Sequence, residues 1–142
     1  PEEVILKFLS SQGINKDKEG TVSLDLWGTG TPLREFLHVE DMADACVYVM
    51  ENIDFDDLKP KDSNEVRNTH INIGSGKELT IRQLSEIVQR VTGFQGNISF
   101  DATKPDGTMR KLLDVSKLEK LGWKAKIELE QGVKYVFEGY LK

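Results

Sequence analysis

Hydrophobic positions along this chain fall into two periods that alternate. Ile5, Leu6 and Leu9 follow an acidic start and predict a helix, which the polar, glycine-bearing stretch SQGINKDKEG ends as a loop. TVSLDLW then alternates apolar and polar residues, the period of a strand. VEDMADACVYVMEN places Val39, Met42, Cys46, Val49 and Met50 on one helical face, expected to pack on a core, with Cys46 a packing residue. The next segment, IDFDDLKPKDSNEVRN, carries much charge and few apolar anchors, so residues 54–68 are expected to form a surface loop or insertion with little function.

THINIGSGKELTIRQLSEIVQRVTG gives the clearest unit. A strand is predicted over His70–Ile73, then a Gly74/Gly76 turn, then a helix in which Thr80 and Gln83 have the spacing of a capping box. Ile81, Leu84, Ile87, Val88 and Val91 face inward, and Gly93 stops the helix. NISFDA reads as a strand, followed by a turn around Pro105, Asp106 and Gly107 and an extended piece. Asp114 can cap a short helix in VSKLEKLG that Gly122 ends, and Val133, Val136, Phe137, Tyr140 and Leu141 mark a final helix. Helices and strands alternate without repeats, so the class is α/β or α+β.

Composition narrows the picture. A chain of 142 residues, 38% hydrophobic, suits one domain with a real core. No apolar run is long enough to span a bilayer, and PEEVILKFLSSQ lacks the basic cap and apolar core of a signal peptide, so the expectation is a soluble, cytoplasmic protein. One cysteine excludes an internal disulfide, and no second Cys or His stands at metal-ligand spacing. A net charge of −5 argues against broad nucleic-acid binding. Any anion site must be local.

Two glycine turns invite a cofactor reading and neither sustains it. Gly28-Thr-Gly30 and Gly74-Ser-Gly76 both lack the third glycine of a dinucleotide fingerprint. Lys77 is followed by Glu78 rather than Ser or Thr, and position 71 is Ile, so the second turn is no P-loop either. Tight turns at positive φ explain both. Catalytic pairs are missing as well: no Tyr is followed by Lys four residues on, and His38 and His70 sit where a structural hydrogen bond is expected.

Candidate binders remain: Lys7, Trp27, Arg34, Asp106, Arg110 and Lys111. An indole and a guanidinium on either side of a glycine turn suit a nucleotide, the ring for a base and the fork for its phosphates. Taken alone, Trp27 reads as a core or edge-strand aromatic, and Arg34 divides evenly between a ligand and a salt bridge to Glu35 or Glu40. Lys104, Arg110 and Lys111 are either a solvated surface or, around a Pro-Asp-Gly turn, an anion-and-hydroxyl site.

Together, LWGTGTPLREFLHVEDMADA, HINIGSGKELTIRQLSEIV and FDATKPDGTMRKLLDVSKLEKLGW closely resemble the carboxy-terminal part of the GDP-L-fucose synthase family, within the extended short-chain dehydrogenase/reductases. The resemblance runs in order from about Pro1 to the last helix. The combination of W-G-x-G-x-x-x-R-E-F with K-P-D-G-T-x-R-K-L-L-D is specific, whereas R-(D/E)-F-x-H-V-x-D alone marks only some nucleotide-sugar enzyme. It implies an α/β fold, a small carboxy-terminal substrate-binding domain over 1–142 with a short mixed sheet and about five helices, lacking the Rossmann domain. In the family that domain holds NADP, the Ser/Tyr/Lys reduction site and the epimerising Cys and His. The implication for this chain is no catalytic residue, no bound cofactor, no metal and no activity alone, and Cys46 does not match the family's catalytic cysteine.

At matching positions, the resemblance implies that Trp27 lines the GDP-sugar site, Arg34 meets the diphosphate, Asp106 and Lys111 contact substrate, and Lys7 reaches phosphate. The implied partners are a GDP-sugar, the amino-terminal Rossmann domain and, at full length, a second copy in a homodimer, with no nucleic acid or membrane. Surfaces that meet the Rossmann domain are expected to carry an exposed apolar patch. Two other readings stay open: the substrate domain of another nucleotide-sugar epimerase or dehydratase, and a stand-alone nucleotide-binding interaction module.

Overall fold

The computed structural model describes residues 10, 13–17, 19–60 and 66–142. The helix expected around Ile5, Leu6 and Leu9 lies outside the described residues, and so does Lys7. Among the described residues the order is β1 (Ile14–Lys16), β2 (Val22–Trp27), β3 (Leu33–Glu35), α1 (Val39–Asn52), α2 (Phe55–Leu58), β4 (Glu78–Thr80), α3 (Ile81–Thr92), β5 (Asn97–Asp101), β6 (Arg110–Lys111), α4 (Ser116–Lys120) and α5 (Leu129–Tyr140). These five helices and two small three-stranded sheets make an α/β fold. Length suggested one domain; the chain divides into two compact units, each described by itself below.

The first unit comprises Pro1–Arg34, Leu79–Lys111 and Val133–Lys142. Its larger sheet has the order β1-β2-β5, with β1 antiparallel and β5 parallel to the central β2. The stretch SQGINKDKEG, expected as a loop, contains β1, because Ile14 can pair with Leu24 and join the apolar side of the sheet. Alternation along β2 assigns Val22, Leu24 and Leu26 to one face and Ser23, Asp25 and Trp27 to the other. On the polar face Asp25 accepts from Asn15 Nδ2 at 2.7 Å and from Ser99 Oγ, tying the three strands together. On the apolar face an open cavity of about 440 Å³ lies between the sheet and α3, lined by Leu24, Leu26, Ile81, Leu84 and Phe94 among others. At its wall Ser85 Oγ, Gln89 Nε2 and Thr92 Oγ1 donate to the carbonyls of Arg82, Gly96 and Val88.

Helix α3 starts and stops as its spacing predicts. Thr80 Oγ1 accepts from Gln83 N at 3.1 Å while Gln83 Oε1 accepts from Thr80 N at 2.8 Å, which satisfies amide donors that the first turn leaves unpaired. Gly93 closes it at φ 70°, a left-handed position that glycine reaches without steric cost.

The second unit comprises Glu35–Glu78 and Leu112–Gly132. Ala45, Leu118 and Trp123 are buried at its centre, with Leu37, Tyr48, Val49, Ile53, Ile71, Ile73 and Ala125 packed around them. The inward face of α1 is therefore not the predicted one. Val49 does pack on the core, but Val39, Met42, Cys46 and Met50 are exposed, Met50 at 84%, and Cys46 is no packing residue. The rotation of α1 is fixed by Asp41, 2% exposed, whose Oδ2 accepts from the amides of Lys126 at 3.1 Å and Ile127 at 2.9 Å. One turn on, small Ala45 makes room beside Trp123. Counting apolar residues missed this face because its anchors are an acid and an alanine. The exposed apolar stripe of α1 has the character expected of a covered surface.

Two further expectations change. Residues 70–73 belong to no strand, since no ladder forms beside them among the described residues. Side chains serve this stretch instead: Lys117 Nζ donates to the His70 carbonyl at 3.2 Å and Asn72 Nδ2 to the Asp114 carbonyl at 3.0 Å. The segment 54–68 contains the short α2, where Asp54 and Asp57 form a capping box. Asp114 does act at the start of α4, its Oδ1 accepting from Ser116 N at 3.0 Å.

Replacing Asp41 by Ala leaves two inward-facing amides without an acceptor and is expected to cost about 1–3 kcal/mol in urea unfolding. The exposed pair nearby sets a pH dependence. Asp44 accepts from Lys126 Nζ at 2.9 Å and Trp123 Nε1 at 2.8 Å; these bonds hold its carboxyl below 3.8, and the carboxylate in turn lifts Lys126 above 10.5. A lowered carboxyl adds stability above its unfolded value that is lost as pH falls through the native one, and a raised ammonium adds stability that is lost as pH rises through its own. Asp44→Asn should therefore flatten both the acid and the alkaline limbs of the thermal midpoint against pH. An unchanged profile would remove the pair from the account.

Candidate functional site

Because β2 and β5 run parallel with Trp27 opposite Asp101, the loops that follow them leave the same carboxyl edge of the sheet. Parallel strands present ligand sites at this edge, where loops converge on groups the strands hold rigid. Trp27 is 73% exposed there, on the outward face of β2, so it is neither core nor a sheet-edge aromatic. Gly28 N donates to the Asp101 carbonyl at 3.0 Å, and so does Lys104 N at 3.1 Å. This second bond closes a turn that carries the Lys104 ammonium to 5.7 Å from the centre of the Trp27 ring. Thr103 reinforces the turn: its hydroxyl and amide bond the Asp101 carboxyl and hold it below 3.8.

The glycine turn after Trp27 is fixed by Asp106, 77 residues from Thr29 in sequence. One carboxylate oxygen accepts from Thr29 N at 2.9 Å and the other from Thr29 Oγ1 at 2.7 Å. Gly28 at φ 85° and Gly30 at φ 76° hold left-handed conformations, and a Cβ would strike the Asp106 carboxylate at the first and the Phe100 ring at the second. Asp106, singled out for substrate contact, thus also builds the loop that presents Trp27.

Arg34 and Lys111 are brought together by register. In the parallel pair β3/β6 they stand opposite one another, so two cations share a face of the ladder. Arg34 is half-buried, and its Nη1 donates to the Leu33 carbonyl at 2.6 Å. It forms no ion pair among the described residues, and the Glu35 carboxylate is engaged elsewhere, by Gly76 N at 2.6 Å, Ser75 Oγ at 3.4 Å and Leu113 N at 3.1 Å. Lys111 is exposed. Of the residues named from sequence, Trp27, Arg34, Asp106 and Lys111 fall in one unit. Sequence reasoning left Lys104 open between a solvated surface and an anion-and-hydroxyl site and overlooked Thr29; the signal for both is the turn geometry set by Asp101 and Asp106.

Neither glycine turn fits a dinucleotide phosphate. The amides of a turn at positive φ can cradle an anion, but each turn here already holds a carboxylate of the chain, Asp106 on 28–30 and Glu35 on 74–76. A phosphate in either place would meet a like charge. His38, by contrast, has a structural use, its Nδ1 accepting from Glu40 N at 3.3 Å as the cap of α1.

Comparison with known proteins places these features among relatives. Residues 3–74, just over half the chain, match the model of the NAD dependent epimerase/dehydratase family. The chain is 49% identical over 123 residues to GDP-L-fucose synthase 1 of Arabidopsis thaliana, which covers 87% of the chain and 34% of that relative. It is 46% identical over 120 residues to GDP-L-fucose synthase of Escherichia coli, covering 82% of the chain and 36% of the relative. The chain thus spans about a third of the length of the curated relatives it matches. Among solved structures, a GDP-6-OMe-4-keto-L-xylo-heptose reductase from C. jejuni is similar at 43% identity and a TM-score of 0.89, over 99% of this chain and 38% of that one. No described helix is long and apolar enough to cross a membrane. The match over residues 3–74, which includes the Trp27 turn and the Arg34 strand, identifies the chain as a member of the NAD dependent epimerase/dehydratase family.

Proposed function

We propose that residues 1–142 form the substrate-binding part of a GDP-L-fucose synthase, which epimerises GDP-4-keto-6-deoxy-D-mannose and reduces it with NADPH to GDP-L-fucose. The observation that carries this reading is the Arg34–Lys111 pair, two like charges opposed across a strand ladder in a protein of net charge −5. Like charges directly opposite are unfavourable until an anion lies between them, and a nucleoside diphosphate supplies one. Trp27 offers its exposed ring to the base, and the remaining lone pairs of Asp106 accept ligand hydroxyls. Lys7 is assigned to phosphate on the family resemblance, and its position lies outside the described residues.

On this reading the chain's part in the reaction is positional. Binding energy from the nucleotide, remote from the reacting sugar, holds the sugar carbons against catalytic groups contributed by the rest of the polypeptide. NADP belongs there too, since both glycine turns of this chain are filled by carboxylates. The chain alone then turns over no keto sugar, and the full polypeptide works as a homodimer. A second reading has specific support: the similar solved structures include GDP-heptose enzymes from Campylobacter jejuni at 40–43% identity, so a 4-keto GDP-heptose competes with the deoxy sugar as the ligand. Both readings share GDP and separate at the sugar.

In the full-length polypeptide, Arg34→Ala and Trp27→Ala should each weaken GDP binding, the arginine by about 1.5–3 kcal/mol, the range for bonds to charged groups. NADPH affinity should stay unchanged. An exposed structural contact would instead cost under about 1 kcal/mol and act only on stability. Calorimetry with GDP, beside the thermal midpoint, separates the two, and unchanged affinity with a lowered midpoint would refute the site. Offering GDP-4-keto-6-deoxy-D-mannose and a GDP-heptose side by side then decides the sugar, while a preference for UDP or dTDP over GDP would sink both readings.

A further inference from the structure

The Gly28–Thr29–Gly30 turn is held from a second side, by a residue that neither the sequence motifs nor the nucleotide reading assigns. Arg82, in the first turn of α3, donates from Nη2 to the Thr29 carbonyl at 3.1 Å, and its guanidinium carbon lies 4.0 Å from the centre of the Phe100 ring. Its backbone amide donates to the Gly30 carbonyl at 2.9 Å, and that of Ile81 to the Pro32 carbonyl at 3.1 Å. We infer that Arg82 is a positioning residue for the ligand site: stacked on Phe100 and bonded to the Thr29 carbonyl, it locks the glycine turn in the form that presents Trp27.

Peptide geometry shows why a lock is needed. A turn with glycine on both sides of Thr29 can rotate its peptide planes with little steric penalty. Asp106 pins the plane between residues 28 and 29 through the Thr29 amide. The plane between residues 29 and 30 presents its carbonyl to the other side, and Arg82 is its bonded partner there. With both planes pinned by side chains, one from the loop after β5 and one from α3, rotation of either breaks a charge-assisted bond.

The first turn of the helix offers Arg82 no acidic neighbour. Cations are disfavoured in the first turn, where the helix dipole is positive, and α3 has no acidic residue in that turn. A guanidinium, flat enough to stack and forked enough to bond a carbonyl at the same time, meets both demands where an ammonium meets one. Phe100 in turn sits where a side chain at Gly30 would be, so ring, guanidinium and glycine turn pack as one block.

The effect on ligand affinity rests on the nucleotide reading above, while the effect on the turn does not, so the test reads both. In the full-length polypeptide, Arg82→Ala and Arg82→Gln should speed amide exchange in a peptide spanning residues 27–31, with Arg82→Lys intermediate. The alanine variant should also raise Kd for GDP and KM for the GDP-sugar roughly tenfold, the equivalent of one or two lost hydrogen bonds. Turnover at saturating substrate should stay near that of the unsubstituted protein. Unchanged exchange in the turn would overturn the inference, as would a lowered thermal midpoint with exchange and GDP affinity intact. If the unsubstituted protein binds no GDP, the proposed function fails, and the exchange measurement alone decides the role of Arg82.

Discussion

The Asp106 carboxylate on the amide and hydroxyl of Thr29 is the contact on which the Trp27 edge of the first unit depends. Pairing of β2 with β5 brings two loops to one edge of the sheet, but a loop edge is not yet a site. The carboxylate joins them by closing a connection across 77 residues, and it does so through backbone groups whose positions the two glycines alone would leave free. Trp27 immediately precedes the fixed turn. Its exposure, costly for an indole of this size, is set by strand phase on one side and by the pinned turn on the other.

The same device recurs in the second unit. Glu35 gathers the amides of Gly76 and Leu113, and Asp41 those of Lys126 and Ile127. Each acid sits where loop backbone would otherwise lack an acceptor, and each accepts more than one donor. Such use of acids leaves Arg34 and Lys111 without a facing carboxylate from Asp106 or Glu35 in a chain of net charge −5. Asp106 and Glu35 are engaged with backbone groups rather than facing Arg34, so that guanidinium lacks the neutralising partner that sequence proximity to Glu35 suggested.

Much of this was legible in the sequence where one local rule dominates. The Thr80 and Gln83 capping box, the Gly93 stop and the Asp114 contact all depend on neighbours within a few residues, and all form as the spacing predicts. Trp27 was legible too: with Val22, Leu24 and Leu26 in phase, the indole falls on the polar face, a deduction that strand alternation permits and that a bias toward burying aromatics obscures. Helix α1 was misread because its buried face is anchored by Asp41 and Ala45, whose partners lie far along the chain, around Trp123 and Ile127. Strand β1 and the unpaired run at 70–73 show the same limit. Strand identity is a property of a pair, and a periodic run without a partner forms no strand.

Register also decides what the cations mean. Arg34 and Lys111 are distant in sequence, and nothing local distinguishes Lys111 from the solvated lysines around it. Parallel pairing of β3 with β6 sets them opposite each other, so their side chains leave the ladder on one face. Repulsion between them is modest in water, about 1 kcal/mol at contact distances, but it grows as a ligand displaces solvent, and so does the attraction of an anion that bridges both. The fold therefore tolerates the pair while it is solvated, and on the proposed reading a bridging diphosphate would be held more tightly as the site dries.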